Sequence, residues 1–140
     1  MSQESAAQNT DMNRKKILIV DDDHLLTRTI DMGLRNRGYE VKILYSAAAA
    51  VKQLIQERPD LIVLDIRLPD CDGWFIPELM RELEMAQGVA VIVMSVLDPD
   101  REMITLNKPY AFIQKPFDMG EFIDLVERSL ATSGKQYGKG

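Results

Sequence analysis

Short apolar runs of this sequence end at polar residues that could do chemistry together. These residues are Asp21, Asp22, Asp23, Asp65, Ser95 and Lys115. Several carboxylates within a few ångströms repel one another unless a cation compensates their charge. Mg²⁺ suits an oxygen-only site of this kind, since it binds one or two carboxylates together with substrate oxygens, and a lysine is a second source of positive charge. A carboxylate, a divalent cation, a lysine and a hydroxyl in one site are typical of phosphoryl transfer, in which an oxygen nucleophile attacks while cations neutralise the phosphoryl oxygens.

The apolar runs themselves predict five buried strands. They occupy residues 16–20, 41–44, 61–64, 89–94 and 111–113. Continuous apolar runs of this length are typical of strands that are buried on both faces. In open α/β sheets, ligands bind at the carboxyl ends of the strands. The polar residues that follow the first, third, fourth and fifth runs are therefore expected to meet at one edge of a sheet.

Segments with helical periodicity separate the strands. Their apolar positions are Leu26, Ile30 and Leu34, then Ala47, Ala50, Val51, Leu54 and Ile55, then Ile76, Leu79, Met80 and Leu83, and last Met119, Phe122, Ile123, Val126 and Leu130. A further helix after the fourth strand has fewer apolar positions, and the pair Asp98-Pro99 predicts its N-cap and first residue. Five repeats of strand and helix predict a doubly wound α/β domain with a five-stranded parallel sheet. Periodicity alone leaves the order of the strands open.

Composition bounds the class of protein. The chain has 140 residues, of which 46% are hydrophobic and 28% charged, as expected for one folded domain. A net charge of −5 argues against nonspecific binding of nucleic acid by this chain. No apolar run approaches the ~20 residues that cross a membrane, and the single cysteine excludes an intrachain disulfide. We therefore expect a soluble, cytoplasmic domain over residues 15–131, between a flexible leader (1–14) and a flexible tail (132–140).

Four segments of the sequence resemble the receiver domain of two-component response regulators. They are residues 17–23 (ILIVDDD), 61–73 (LIVLDIRLPDCDG), 94–95 (MS) and 115–117 (KPF). The second segment is the most specific, because a proline and a glycine follow Asp65 at fixed distances. The resemblance extends over residues 15–131 and implies a flavodoxin-like fold with the strand order 2-1-3-4-5.

The resemblance also implies a chemical role for each acidic residue of the site. Asp65 would accept a phosphoryl group from a partner histidine kinase or phosphotransfer protein. Asp22, Asp65 and the backbone carbonyl of Arg67 would bind Mg²⁺ directly, and Asp21 would hold the ion through water. The domain would then be a regulated switch that catalyses only its own phosphorylation and dephosphorylation, and not an enzyme with a separate substrate.

Three further residues would respond to phosphorylation. The resemblance implies that Ser95 hydrogen-bonds the phosphoryl group, that Lys115 pairs with it, and that Phe112 is the aromatic switch that moves with Ser95. It also implies a cis peptide bond between Lys115 and Pro116. The signal would reach partners, including a second copy of the chain, through the face formed by the fourth helix, the fifth strand and the fifth helix.

The sequence departs from the pattern of the family on that output face. Val96 follows Ser95 where the family has a small residue, and Lys108-Pro109 replaces the usual Gly-Ala before the fifth strand. The stretch from Ser95 to Lys115 is also short for the family. These departures do not affect Asp65 or the other residues that would take part in phosphorylation.

Two other functions remain as alternatives. A pseudo-receiver would keep the fold as a binding module without phosphorylation; the altered region 96–109 favours it, and the complete set of site residues argues against it. A phosphatase of the haloacid-dehalogenase type would use Asp21 and Asp23 as the first half of Asp-x-Asp-x-Thr. In this sequence Leu25 occupies the threonine position, and Asp65 would have no role.

Overall fold

The computed structural model describes residues 14–85 and 87–132, and these residues form five strands that alternate with five helices. The strands are β1 (Lys16–Val20), β2 (Glu40–Leu44), β3 (Leu61–Asp65), β4 (Ala90–Ser95) and β5 (Ala111–Gln114). The helices are α1 (His24–Asn36), α2 (Ala47–Gln56), α3 (Phe75–Glu82), α4 (Arg101–Asn107) and α5 (Met119–Thr132). The predicted alternation of strand and helix is confirmed.

All five strands lie parallel in one sheet with the order β2-β1-β3-β4-β5. This is the flavodoxin-like order that the resemblance implies. The order reverses beside β1, since β2 pairs on one side of it and β3 on the other. Such a reversal opens a crevice at the carboxyl ends of the strands, where ligands bind in folds of this kind.

Two apolar layers cover the faces of the sheet. Alternate residues of the central strands point to opposite faces, so Ile17 and Ile19 pack with α1 and α5, while Leu18 and Val20 pack with α2 and α3. Every residue of β3 is buried, which explains its uninterrupted apolar sequence before Asp65. The two layers fix the central strands and therefore the positions of the polar residues at their ends.

Helix α4 begins later than the pair Asp98-Pro99 predicts. Asp100 is its N-cap, and the carboxylate of Asp100 accepts a hydrogen bond from the backbone nitrogen of Met103 at 3.2 Å. The Asp98 carboxylate instead accepts a hydrogen bond from the side chain of Gln114, at 3.3 Å. The predicted cap was wrong because two aspartates compete for that role two residues apart, and the sequence does not show which one is held elsewhere.

Two residues assigned to buried helix faces are exposed. Ile55 in α2 is 69% exposed, and Leu83, directly after α3, is 46% exposed. The buried positions of α2 are Ala47, Ala50 and Leu54, so its apolar face is narrower than the sequence pattern indicates. Residues 1–13 of the predicted leader and residues 133–140 of the predicted tail lie outside the described part of the chain. Within residues 14–85 and 87–132, no helix is both long enough and apolar enough to cross a membrane.

Candidate functional site

The ends of four strands bring the predicted site residues to one edge of the sheet. Asp65 is the last residue of β3 and Ser95 the last of β4, while Asp21 directly follows β1 and Lys115 directly follows β5. The strands are in register at these ends, since Val20 lies beside Leu64 and Ser95 lies beside Gln114. The convergence that the sequence predicts is therefore present in the structure.

Lys115 joins two of the carboxylates. Its Nζ lies 2.6 Å from Oδ2 of Asp21 and 2.9 Å from Oδ2 of Asp65. The Asp21 side chain is fully buried, and the side chains of Asp65 and Lys115 are only 9% and 13% exposed. A pair of buried carboxylates needs a compensating charge, and the lysine supplies it to both at once. The Lys115–Pro116 peptide bond is cis, as the resemblance implies.

Burial and ion pairing act against each other at this site. Burial raises the pKa of Asp21 above its usual value, although hydrogen bonds from Lys115 and from the backbone of Asp23 oppose the increase. Burial alone would lower the pKa of Lys115, but its hydrogen bonds to Asp21 and Asp65 outweigh burial and raise that pKa. The lysine therefore stays charged at neutral pH and can stabilise further negative charge beside Asp65.

Backbone donors orient the remaining oxygens of the site. Oδ1 of Asp65 accepts a hydrogen bond from the backbone nitrogen of Arg67 at 2.9 Å, and Oδ1 of Asp21 accepts one from Asp23 at the same distance. The Ser95 hydroxyl oxygen accepts a hydrogen bond from the backbone nitrogen of Leu97 at 3.0 Å. Because this contact uses a lone pair of the oxygen, the hydroxyl proton remains available for donation to a ligand.

The third carboxylate, Asp22, completes a group that could hold a metal ion. One carboxylate oxygen from each of Asp21, Asp22 and Asp65 lies within 4.8 Å of the other two. Asp22 is exposed, and within the described residues no lysine or arginine pairs with it. Hard oxygen donors with one uncompensated carboxylate fit a hydrated divalent cation.

Gly73 is required by the close approach of the loop after β3 to the site. A Cβ at this position would lie 2.5 Å from the backbone oxygen of Asp65 and 2.8 Å from Cα of Ile66. The backbone nitrogen of Gly73 also donates a hydrogen bond to the Ile66 oxygen at 2.6 Å. The sequence segment contains this glycine, but only the structure shows that it keeps the loop against the phosphoacceptor candidate.

The predicted switch residue Phe112 lies in a small apolar cluster beside the site. It is half-buried and packs with Ile66, Trp74 and Val93. The side chain of Arg67 is exposed, whereas Trp74 is only 5% exposed. Phe112 thus lies beside Val93 of β4 and packs against a cluster that includes Ile66, the residue directly after Asp65.

Sequence reasoning missed Gln114, which ties β5 to the loop after Ser95. Its side-chain nitrogen donates hydrogen bonds to the backbone oxygen of Val96 and to a carboxylate oxygen of Asp98, each at 3.3 Å. The signal in the sequence is a polar amide at the end of an otherwise apolar strand, directly before Lys115. The sequence alone does not show which loop the amide of Gln114 contacts.

Comparison with known proteins identifies similar sequences and folds. The family described as response regulator receiver domain matches residues 17–127. The DNA-binding transcriptional regulator NtrC of Bradyrhizobium sp. (strain RP501 Parasponia) is 32% identical over 120 residues, which cover 82% of this chain and 24% of that protein. The chain therefore spans about a quarter of the length of this curated relative.

Solved structures of receiver domains share the fold. A CheY-like response regulator receiver domain from Methanospirillum hungatei JF-1 superposes with a TM-score of 0.79 at 26% identity, covering 91% of this chain and 99% of that one. The non-phosphorylated HemR receiver domain from Leptospira biflexa gives a TM-score of 0.77 at 28% identity, covering 84% of this chain and 95% of that one.

Proposed function

The chain belongs to the response regulator receiver domain family, and from this premise we propose that Asp65 is the residue that a partner histidine kinase or phosphotransfer protein phosphorylates. Receiver domains are phosphoacceptor regulatory modules and not enzymes with a separate substrate. The observation that carries the proposal is the position of the Asp65 carboxylate, which lies at the end of β3 between the Lys115 ammonium and the backbone nitrogen of Arg67. The acidic group around it is typical of the metal site of a receiver domain.

In the proposed step, a carboxylate oxygen of Asp65 attacks the phosphorus of a phosphohistidine. The new O–P bond forms as the N–P bond breaks, and the histidine nitrogen leaves with the bonding electron pair. Lys115 then pairs with a phosphoryl oxygen, because its ammonium already lies 2.9 Å from Asp65. The Ser95 hydroxyl donates its free proton to another phosphoryl oxygen. Both contacts would exist only after transfer, so they favour the phosphorylated conformation.

We propose Mg²⁺ as the cation of this site. Asp22, Asp65 and the backbone carbonyl of Arg67 would hold it directly, and the fully buried Asp21 would act through water. When bound, Mg²⁺ neutralises negative charge on the phosphoryl oxygens during transfer. The exposed Asp22 supports this assignment, since its carboxylate is open to solvent beside two carboxylates that Lys115 already compensates.

Mass spectrometry of the intact protein tests the phosphoacceptor. With Mg²⁺ and acetyl phosphate we expect the wild type to gain one phosphate, whereas Asp65→Asn should gain none. Asp124→Asn on the exposed surface of α5 is the matched control and should behave as the wild type. Full labelling of Asp65→Asn would overturn the assignment. A folded wild type that gains no phosphate would favour the pseudo-receiver, and turnover of a generic phosphate ester would favour the phosphatase.

We further propose that the output surface is the face of α4, β5 and α5, and that a partner or a second copy of the chain binds it. No described residue of α4 is buried, and Ala111, Phe112 and Ile113 of β5 are only half-buried, so apolar surface is available there. The net charge of −5 favours a protein partner over nucleic acid for this chain. The phosphoryl donor and the partner at this face would both bind the domain of residues 15–131, in the cytoplasm. Light scattering with and without beryllofluoride measures any dimer, and a monomer in both states would limit the surface to other partners.

A further inference from the structure

We propose that a groove between α3 and α4 binds a small amphipathic anion, meaning a molecule with an apolar body and one carboxylate or phosphate group. The groove encloses a cavity of about 350 Å³. Its walls come from α3, from the segment around the start of β4 and from the last residues of α4. None of Asp21, Asp22, Asp65, Ser95 and Lys115 lines it, so the groove is separate from the phosphorylation site.

The floor of the groove is apolar. Pro77, Met80 and Val89 line it and are buried, and the half-buried Val91 adjoins them. Leu106 lines the same cavity but is 51% exposed. An apolar ligand body would remove the surface of Leu106 from water, and that burial would favour binding. The volume matches the lower end of the range of small-molecule pockets.

Two cations border this apolar floor. Arg81 of α3 and Lys108, directly after α4, both line the cavity and are exposed. None of the described residues that line the groove is acidic, and neither cation takes part in a salt bridge within the described residues. In a chain with a net charge of −5, two cations without a carboxylate beside an apolar groove complement an anionic ligand.

The backbone at Lys108 gives an independent argument. Lys108 is the C-cap of α4 and has φ 50° and ψ 55°, in the left-handed region. Glycine is the residue that adopts this conformation most easily, and it is the usual residue at the end of a helix. A lysine is less favourable than glycine in this conformation, and this lysine is one of the residues that line the cavity. Residues in unfavourable backbone conformations are enriched at sites that bind ligands.

Asn107 lines the same wall, but its side chain is held within α4 and does not contribute to anion binding. Its side-chain nitrogen donates a hydrogen bond to the Met103 oxygen at 3.0 Å, whereas its Oδ1 is buried and has no partner within the described residues. A carboxylate or phosphate is itself a hydrogen-bond acceptor, so the ligand would pair with the two cations and not with this oxygen. Both cations lie beside a helix, α4, that buries no described residue. A ligand that contacts both helices would therefore protect α4.

Titration of the unphosphorylated full chain with octanoate tests the proposal. Octanoate is an alkyl carboxylate, while octan-1-ol has the same apolar body without the charge and acetate has the charge without the body. In amide NMR spectra we expect octanoate to shift signals of residues around the groove, with an affinity in the millimolar range. Octan-1-ol should bind more weakly and acetate should not bind. Hydrogen exchange in α4 should slow when octanoate is present.

Two variants separate loss of binding from loss of folding. Arg81→Gln removes one cation, and Lys108→Gly removes the other while it relieves the left-handed backbone, so its urea midpoint should not fall. Each should weaken octanoate by about fivefold, as expected for one exposed ion pair. Lys52→Gln, an exposed lysine of α2, is the control and should leave the affinity unchanged. Equal binding of octanoate and octan-1-ol, shifts away from the groove, no binding, or unaltered affinity in both variants would each overturn the proposal.

Discussion

At the scale of single residues, Gly73 limits what the site tolerates. An added Cβ would lie 2.5 Å from the backbone oxygen of Asp65, and backbone atoms cannot rotate away as a side chain can. We predict that Gly73→Ala lowers the free energy of unfolding by about 1–3 kcal/mol, the usual cost of overpacking. Urea unfolding measures this change. Gly33→Ala is the control: its Cβ would meet the side-chain end of Ile123 at 3.1 Å, within a helix that favours alanine, so it should lose much less stability than Gly73→Ala. Equal stability of Gly73→Ala and the wild type would contradict the steric argument.

Asp22 is proposed to bind the metal ion, but we expect its carboxylate to destabilise the metal-free fold. Its carboxylate lies near those of Asp21 and Asp65, and within the described residues no cation pairs with it. We predict that Asp22→Ala is at least as stable as the wild type in urea without metal, since one of three neighbouring negative charges is removed. Isothermal titration should show that the same variant has lost Mg²⁺ binding. Glu82→Ala, an exposed acidic residue of α3, should change neither property. A lower urea midpoint for Asp22→Ala than for the wild type would refute the repulsion argument, and unchanged Mg²⁺ affinity would place the metal elsewhere.

The sequence predicts the members of the site better than their contacts. Asp21, Asp65, Ser95 and Lys115 were identified because each ends or directly follows an apolar strand, and parallel strands share one carboxyl edge. The bond from Gln114 to the loop after Ser95 could not be predicted in the same way. It depends on which of several polar groups in an exposed loop comes into reach, and no periodicity encodes that.

At the scale of elements, Asp70 attaches the loop after β3 to the start of α2. Its two carboxylate oxygens accept hydrogen bonds from the backbone nitrogens of Ala47 and Ala48, at 2.9 and 3.0 Å. These bonds hold the pKa of Asp70 below its usual value. Ser46 caps the same helix through Ala49, so one helix start has two caps, of which one comes from the site loop. The loop that follows the phosphoacceptor candidate is thus anchored to the start of a helix that packs over β1 and β3.

The hydrogen bonds of Asp70 to α2 should make the stability of the fold decrease as the pH falls. The pKa of Asp70 is lower in the folded than in the unfolded chain, so its stabilisation is present above the unfolded value of about 3.9 and is lost as the pH falls through the folded value. We predict that Asp70→Asn is less stable than the wild type at about pH 7, and that the difference shrinks below about pH 4. Urea midpoints across this range measure it. Glu82→Gln, which is exposed on α3, is the control for the loss of one carboxylate and should be as stable as the wild type at about pH 7. A difference between wild type and Asp70→Asn that stays constant down to the lowest pH would rule out the anchor.

The strands and all five helices were predicted, but the start of α4 was placed at the wrong aspartate. Every residue of β3 is buried, so its continuous apolar sequence predicts a buried strand without an alternative. Helix α4 buries no described residue and starts at Asp100, not at Asp98, because burial does not determine its register and the two caps compete. Ile55 was assigned to a core face since it continues the spacing of α2, but that face buries mainly small alanines and leaves Ile55 69% exposed. Sequence patterns therefore predict the buried side of a helix poorly where its two sides differ little in apolar side chains.

At the scale of the whole molecule, the strands of the site and the proposed output helix α4 differ in how much apolar surface holds them. The strands that hold Asp65 and Ser95 lie between two apolar layers, while α4 rests on Met103 and Ile104 against the small cluster that includes Phe112. The loop between Ser95 and α4 is held by the bonds of Leu97 to Ser95 and of Gln114 to Val96 and Asp98. Rearrangement of Ser95 toward a phosphoryl group would alter the first of these bonds directly. Because few apolar contacts oppose it, the change would pass into α4 as a change in order and not as rotation of an intact helix.

Hydrogen exchange with and without beryllofluoride, in the presence of Mg²⁺, tests this transmission. We predict that amides of residues 97–98, 100–108 and 110 exchange faster than those of β3 and β4 in the free protein, since α4 has no buried residue. The mimic should change their exchange and the environment of Phe112, while β3 stays protected. Asp65→Asn, which lacks the proposed acceptor, should show the free pattern in both conditions. If residues 97–108 are already as protected as β3 and the mimic leaves them unchanged, the signal cannot be an order change in α4. A rigid shift of the face of α4, β5 and α5 would then be the remaining route from Asp65 to a partner.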